Sequence, residues 1–507
     1  MSAILSEADL NDFISPGLAC IKPAGEVRAS ATKRDGQYEI QIGDEGAEAF
    51  EVSVDDGTVN NLETANISLQ DCLACSGCIT SAEEVLLAKQ THKVLIDDLN
   101  KHKDDKVFAL SLSHQSRVSI AVYLNVPTYK VDELLINLFS ERYGFRFVVG
   151  TELSRLISIS QINQEVIQSK LSGQSKPYLS SICPGFVLYV EKTKPEILPY
   201  LLNVKSPQQI TGQLLKSLIS KQLNIPYSSV YHLSIMPCFD KKLEAARPED
   251  EVDVDCVLTP KELVELIKDE AVNVNDYITN NDAIPTHLYK QAAPQHWPFA
   301  EEAWSSHIGS ASGGYAENYI IALQQYYQTQ GVATELKEVK GKNTDVVEYQ
   351  LINESGEKLG SSAVVNGFRN IQNLVRKLKP TGKVKIGSGL AARRKARQKN
   401  KKDTEIDAVA DPSSCDFVEV MACPGGCING GGVNNGGTSV NNKELVSNLL
   451  AKYYQLPQAD NLNDEAFLKQ FVSEFMNAFG VSHERFYNYK FSVIEKATDI
   501  LSVGSKW

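Results

Sequence analysis

The chain has 507 residues, room for about three domains at roughly 100–200 residues each. Its 51 basic and 63 acidic side chains leave a net charge of −12, which argues against a dedicated, specific nucleic-acid binder. No apolar run reaches the roughly 18 residues of a membrane span, and the opening MSAILSEADLNDF lacks the basic and apolar regions of a secretory signal, so the cytosol or nucleus is the expected location.

Residues 1–104 are polar, with short strand-like pieces such as Tyr38 to Ile42. They carry Cys72, Cys75 and Cys78 in DCLACSGC, a C-x2-C-x2-C run that sets three thiols on one tight loop. Such a run resembles the bacterial ferredoxin cluster loop without its nearby fourth cysteine and proline. Cys20 is the only cysteine upstream and is the expected fourth ligand. Structural zinc is the alternative, although zinc sites usually pair two separate knuckles.

From Val107 the pattern becomes α/β. VFALSLS (107–113) reads as a buried strand, and FRFVVG (145–150) as a second. Between them Val131, Leu134, Leu135, Leu138 and Phe139 mark one apolar helix face. In EVDVDCVL, Val252, Val254, Cys256 and Leu258 alternate to one side, and Thr259 with Glu262 predicts a capping box opening the next helix. Alternating strands and helices predict a mainly parallel sheet covered on both faces. Residues 380–413 break this rhythm. Seven basic side chains, Arg393, Arg394, Lys395, Arg397, Lys399, Lys401 and Lys402, read as a solvated insertion, with nuclear import or anion binding as the sharper alternative. From about 442 the reading is helical, including Glu465 to Phe479.

Three predicted strands end in cysteine. Residues 177–182 run into Cys183-Pro184-Gly185, residues 230–235 into Met236-Pro237-Cys238, and residues 417–421 into Cys423-Pro424-Gly425-Gly426-Cys427. Open α/β sheets place ligands at the carboxyl ends of strands, so Cys183, Cys238, Cys423 and Cys427 are candidate ligands of one site. The prolines and glycines permit sharp turns that expose backbone N–H groups to a cluster's sulfides. Cys256 and Cys415 read instead as small buried hydrophobes. Gly430-Gly431-Gly432 lacks the lysine and hydroxyl of a phosphate-binding loop.

These strand ends carry a resemblance. Ile182-Cys183-Pro184-Gly185-Phe186, the M-P-C-x2-K-x2-E pattern from Met236 to Glu244, and the E-x-M-x-C-x2-G-C-x2-G-G-G pattern from Glu419 to Gly432 resemble the cysteine motifs of iron-only hydrogenases. Ser312-Gly313-Gly314 and His483-Glu484 are similar to further hydrogenase segments, and the resemblance spans roughly residues 105–495. It implies an α/β fold: a two-lobed core with parallel sheets (105–300 and 301–454, the second holding the basic insertion), a small N-terminal iron–sulfur domain (1–104) and a helical tail (455–507). It also implies that Cys183, Cys238, Cys423 and Cys427 hold a [4Fe–4S] cluster. The departures are informative. Ile182 stands where hydrogenases carry a proton-relaying cysteine, and Phe186 replaces a tryptophan.

The combination resembles the eukaryotic iron-only hydrogenase-like family of cytosolic iron–sulfur assembly factors, related to the nuclear prelamin A recognition factor. Membership implies two [4Fe–4S] clusters, with Cys20, Cys72, Cys75 and Cys78 holding the more exposed one. It implies delivery of clusters to apoproteins, between a scaffold NTPase complex and a targeting complex, and no hydrogenase activity. Trp507 matches an aromatic terminus that docks the targeting complex, the bland reading being a frayed end. An active hydrogenase, for which Lys241 and Glu244 would suit cyanide ligands and a proton path, and a simple electron carrier are the competing functions.

Overall fold

The computed structural model describes residues 38–42, 49–53 and 59–62 as strands, and residues 87–173, 177–247, 249–378, 409–434, 442–458 and 465–492. The chain divides into two compact units, Met1–Val85 and Leu86–Trp507.

In the first unit β1 (Tyr38–Ile42), β2 (Ala49–Ser53) and β3 (Val59–Leu62) form an antiparallel sheet in sequence order. Cys20, Cys72, Cys75 and Cys78 lie outside the described residues.

The second unit contains two sheets where the sequence pattern suggested one. Strands β4 (Val107–Leu112), β5 (Phe147–Gly150), β7 (Val230–Ile235) and β8 (Cys256–Leu258) form a fully parallel sheet, order β5-β4-β7-β8. The central strands β4 and β7 are almost completely buried, as a parallel sheet covered on both faces requires. Phe108, Leu110 and Leu112 enter one apolar cluster, while Ala109 enters another together with Phe147 and Val149 of β5. Cys256 is buried in the first of these clusters, as a small hydrophobe should be. The alternation expected from Val252 starts later. Val252 is exposed, because residues 249–255 run as an acidic loop whose Glu249 and Asp253 pair with Lys205 and Arg485.

The second sheet is mixed, order β6-β12-β11-β10-β9. Strands β6 (Tyr178–Leu179), β12 (Phe417–Met421) and β11 (Lys358–Asn366) are parallel. Strands β9 (Thr334–Lys340) and β10 (Val346–Asn353) extend the sheet antiparallel. Charged, exposed side chains along TELKEVK suit β9 to its edge position.

Helices cover both sheets. The capping box is present: Glu262 N–H donates to Thr259 Oγ1, and the Glu262 carboxylate accepts the Thr259 N–H at 2.9 Å. The expected apolar face from Val131 to Phe139 is buried, on a helix Thr128–Asn137 that continues as a π turn Leu138–Arg142. The helix Glu465–Phe479 buries Leu468, Val472 and Phe475. No described helix is long and apolar enough to cross a membrane.

Candidate iron–sulfur centre

Every parallel strand except β8 and β11 delivers residues from its carboxyl end to one cavity of about 80 Å³. Ser113 follows β4, Thr151 follows β5, Cys183 follows β6, Cys238 follows β7, and Cys423 and Cys427 follow β12. Chain turns at these ends are enforced locally. Pro184 opens the helix Pro184–Thr193 with Cys183 as its N-terminal cap residue. Gly426 has φ +84°, and a Cβ there would sit 2.0 Å from Ser312 Oγ.

The loops are fastened to one another. The Ala422 N–H donates to Cys183 Sγ at 3.4 Å, joining the first and third cysteine segments. Gly432 N–H donates to Pro237 O at 2.9 Å, and a Cβ on Gly430 would lie 2.4 Å from that same oxygen. The triple glycine is therefore a packing requirement, which lets the Cys427 segment lie against the Cys238 segment. Lys241 Nζ donates to Ile182 O at 3.1 Å and to both Glu244 carboxylate oxygens at 2.9 Å. Gln208 Nε2 then donates to Lys241 O and to Glu244, each at 3.1 Å. Lys241 and Glu244 thus neutralise each other and clamp the Cys183 loop to the Cys238 helix. The sequence pattern singled them out but not for this purpose.

The four thiols share a low-dielectric, mutually repulsive environment. Burial pushes Cys427 up to about 12, with Cys183 beside it adding to the shift. Burial, the Asp240 carboxylate and the other thiols hold Cys238 well above the ordinary thiol range. Burial and the neighbouring Cys183 and Cys427 do the same to Cys423, and burial raises Cys183. Left to themselves these groups stay protonated. A cationic centre that binds several thiolates together would supply the charge they lack.

Single-ion and cluster sites can be separated by geometry. Zinc needs its donors converging on one point about 2.3 Å from each sulfur. Among the described residues no three His, Cys, Asp or Glu side chains converge in that way. The thiols surround a cavity instead, which suits a polynuclear group bonded at its corners. The donor set and the glycine-permitted backbone therefore fit an iron–sulfur cluster.

Cys415 and Ile182 also take up buried places. Cys415 is buried, with its thiol toward Asp411 O. Ile182 lines the cavity as an apolar wall. His483 begins the short helix His483–Tyr487, while Trp507 and residues 391–402 lie outside the described residues. Two constellations had no sequence signal. His232 Nε2 lies 2.8 Å from Ser111 Oγ and its Nδ1 donates to Asp253 O at 2.9 Å, a nucleophile-like pairing sealed inside the parallel sheet. Glu152 meets Arg155 at 2.6 Å, His114 at 3.1 Å, and His307. Only the Arg155 edge of that cluster reaches the cavity.

The family model for the iron only hydrogenase large subunit, C-terminal domain, matches residues 106–431. Proteins named cytosolic Fe-S cluster assembly factor NAR1 are 48% identical in Scheffersomyces stipitis, 43% in Candida albicans and 42% in Kluyveromyces lactis, each covering 100% of both chains. Among solved structures, an [FeFe]-hydrogenase studied for oxygen inactivation of its H cluster is similar with TM-score 0.56 at 20% identity, covering 80% of this chain and 99% of that one. An apo [FeFe]-hydrogenase from Chlamydomonas reinhardtii gives 0.55 at 20% identity over the same shares. These two establish the fold alone.

Proposed function

From the premise that this chain belongs to the family of the cytosolic Fe-S cluster assembly factor NAR1, built on the iron-only hydrogenase large-subunit domain, we propose that it binds two [4Fe–4S] clusters and helps pass clusters to target apoproteins. The observation that carries the internal site is the set of four thiols lining one cavity, Cys183 and Cys423 buried and Cys238 and Cys427 partly buried, with no single-ion donor group among the described residues. Cys183, Cys238, Cys423 and Cys427 would hold that cluster, which when bound supplies the positive charge that keeps the thiolates ionised. Ala422 N–H donates to one sulfur, and the Lys241–Glu244 pair keeps the loops in register. We assign the second cluster to Cys20, Cys72, Cys75 and Cys78 on the sequence pattern. The close sequence spacing of Cys72, Cys75 and Cys78, tied only to distant Cys20, makes it the more exchangeable of the two.

The partners proposed are a scaffold NTPase complex and a targeting complex of the same pathway, in cytoplasm and nucleus, with Trp507 as the docking residue. Hydrogen turnover is not expected. The position that would relay a proton holds Ile182, and general acid–base assistance is worth about 10²–10⁴-fold. Anaerobic purification with iron and acid-labile sulfide counting tests the reading. Both should approach about eight per chain by cubane stoichiometry. Stoichiometric zinc, or hydrogen evolution with infrared bands of iron-bound CO and CN, would overturn it.

A further inference from the structure

Of the thiols that ring the cavity, Cys427 is held by a loop outside the strand-end segments. Residues 308–316 form a tight turn into the helix Tyr315–Thr329. Ser310 Oγ accepts the N–H groups of Ser312 and Gly314, each at 3.3 Å, and donates to Glu419 Oε1 at 3.2 Å. The other Glu419 oxygen accepts Ala316 N–H at 2.9 Å, so β12 grips both ends of the turn. Asn318 Nδ2 closes the turn further by donating to Ile308 O and Gly314 O.

This frame leaves Ser312 little freedom. It is buried at the cavity wall, and its Oγ accepts the Cys427 N–H at 2.9 Å. The bond to the Cys427 N–H sets this hydroxyl beside the Cys427 side chain, whose thiol donates to Met421 Sδ at 3.5 Å. Gly426 has no Cβ to push it away, since one would stand 2.0 Å from Ser312 Oγ. The hydroxyl accepts from the Cys427 backbone, which leaves its single proton to be donated elsewhere. A thiolate accepts such a proton more strongly than a thiol does.

We propose that Ser312 is a positioning residue for the internal cluster, donating its hydroxyl proton to Cys427 Sγ and thereby setting the reduction potential of that site. The inference rests on the cluster reading above. Hydrogen bonds to cluster sulfurs disperse negative charge and favour the reduced form. Removing one should weaken reduction about tenfold, which for one electron is about 59 mV.

The test uses full-length Cys72→Ala protein, which retains only the internal cluster under this reading. Iron and sulfide should each be about four per chain by cubane stoichiometry. Ser312→Ala in that background should keep this count, lower the midpoint potential by about 59 mV for a tenfold loss, and reduce the H₂O/D₂O sensitivity of the iron–thiolate stretching bands in resonance Raman to what the Ala422 N–H bond on Cys183 leaves. Ser312→Thr, which restores a hydroxyl, should recover both. Full iron content with unchanged potential and unchanged isotope response in Ser312→Ala overturns the Ser312 assignment alone. Absence of iron while Ser312 is intact overturns the cluster reading, and this proposal with it.

Discussion

Two buried polar constellations border the same cavity and solve the cost of burial in opposite ways. Around Glu152 the charges balance within the protein. Glu152 and Asp132 face Arg155 and Arg117, with Arg117 bonded to Asp132 at 2.6 and 2.5 Å. Burial lowers His114 and His307, which lie between these charges. The four thiols have no such counter-charge. Asp240, of the wrong sign, raises Cys183, Cys238 and Cys423 further, and the one lysine on the wall is committed to Glu244. Satisfied charges make a keystone; an unsatisfied donor set of one chemical type makes a binding site. Proximity to a cavity does not distinguish the two, whereas charge balance does.

Removing one thiol strikes the incomplete constellation and should give the largest effect. Cys423→Ala should lose the internal iron, about four per chain by cubane stoichiometry. Structural metal sites contribute on the order of 10 kcal/mol to folding, so the variant should also melt far below the wild type. Iron counting with a thermal scan measures both. A variant as stable as wild type would mean that the core is complete without its cluster.

The second prediction strikes the balanced constellation. Burial alone would push Glu152 up, but Arg155, His307 and His114 outweigh it and hold the carboxyl well below the usual range. Glu152→Gln keeps the shape and leaves Arg155 buried without its partner. Breaking such a pair costs about 3–5 kcal/mol. Urea unfolding at neutral pH should show that loss, while iron per folded chain stays at the wild-type value. Loss of iron in the folded variant would merge the two constellations into one functional unit.

The sequence made one of these constellations visible and hid the other. Strand ends at 230–235 and 417–421 are read correctly because both strands are buried and apolar along their whole length. The strand expected at 177–182 shrinks to Tyr178–Leu179, since it pairs with β12 at only two positions. Cysteine is rare enough that three strand ends carrying it point to a shared site without any contact map. The Glu152 cluster joins residues 114, 152, 155 and 307, common residue types whose meeting depends on tertiary packing. The Ser312–Cys427 contact spans 115 residues between two loops and leaves no periodic trace. The antiparallel extension β9–β10 was hidden for a different reason. An exposed edge strand dense in charge looks like a loop until its partner is known.

The smallest prediction concerns the other closed constellation, His232, which faces no cavity. Its Nδ1 donates to a carbonyl, its Nε2 lies 2.8 Å from Ser111 Oγ, and the Ser111 hydroxyl donates to Ser234 Oγ at 3.0 Å. Burial pulls its pKa down from the ordinary 6.5 to about 4. Below pH 6.5 the unfolded chain takes up a proton that the folded protein refuses until about pH 4. Stability is therefore full above the unfolded value and falls as the solution is acidified. Between pH 7.5 and 5.5 this one group should remove about 1.4 kcal/mol, close to the linkage limit of one pH unit below 6.5. His232→Asn retains a donor for Asp253 O but cannot titrate. Urea unfolding of both proteins at the two pH values isolates the term, because Glu152, His114 and His307 contribute alike to each. The wild type should lose about 1.4 kcal/mol more than the variant on acidification. Equal losses would mean that His232 accepts its proton inside the folded sheet, and that this constellation is less closed than its burial indicates.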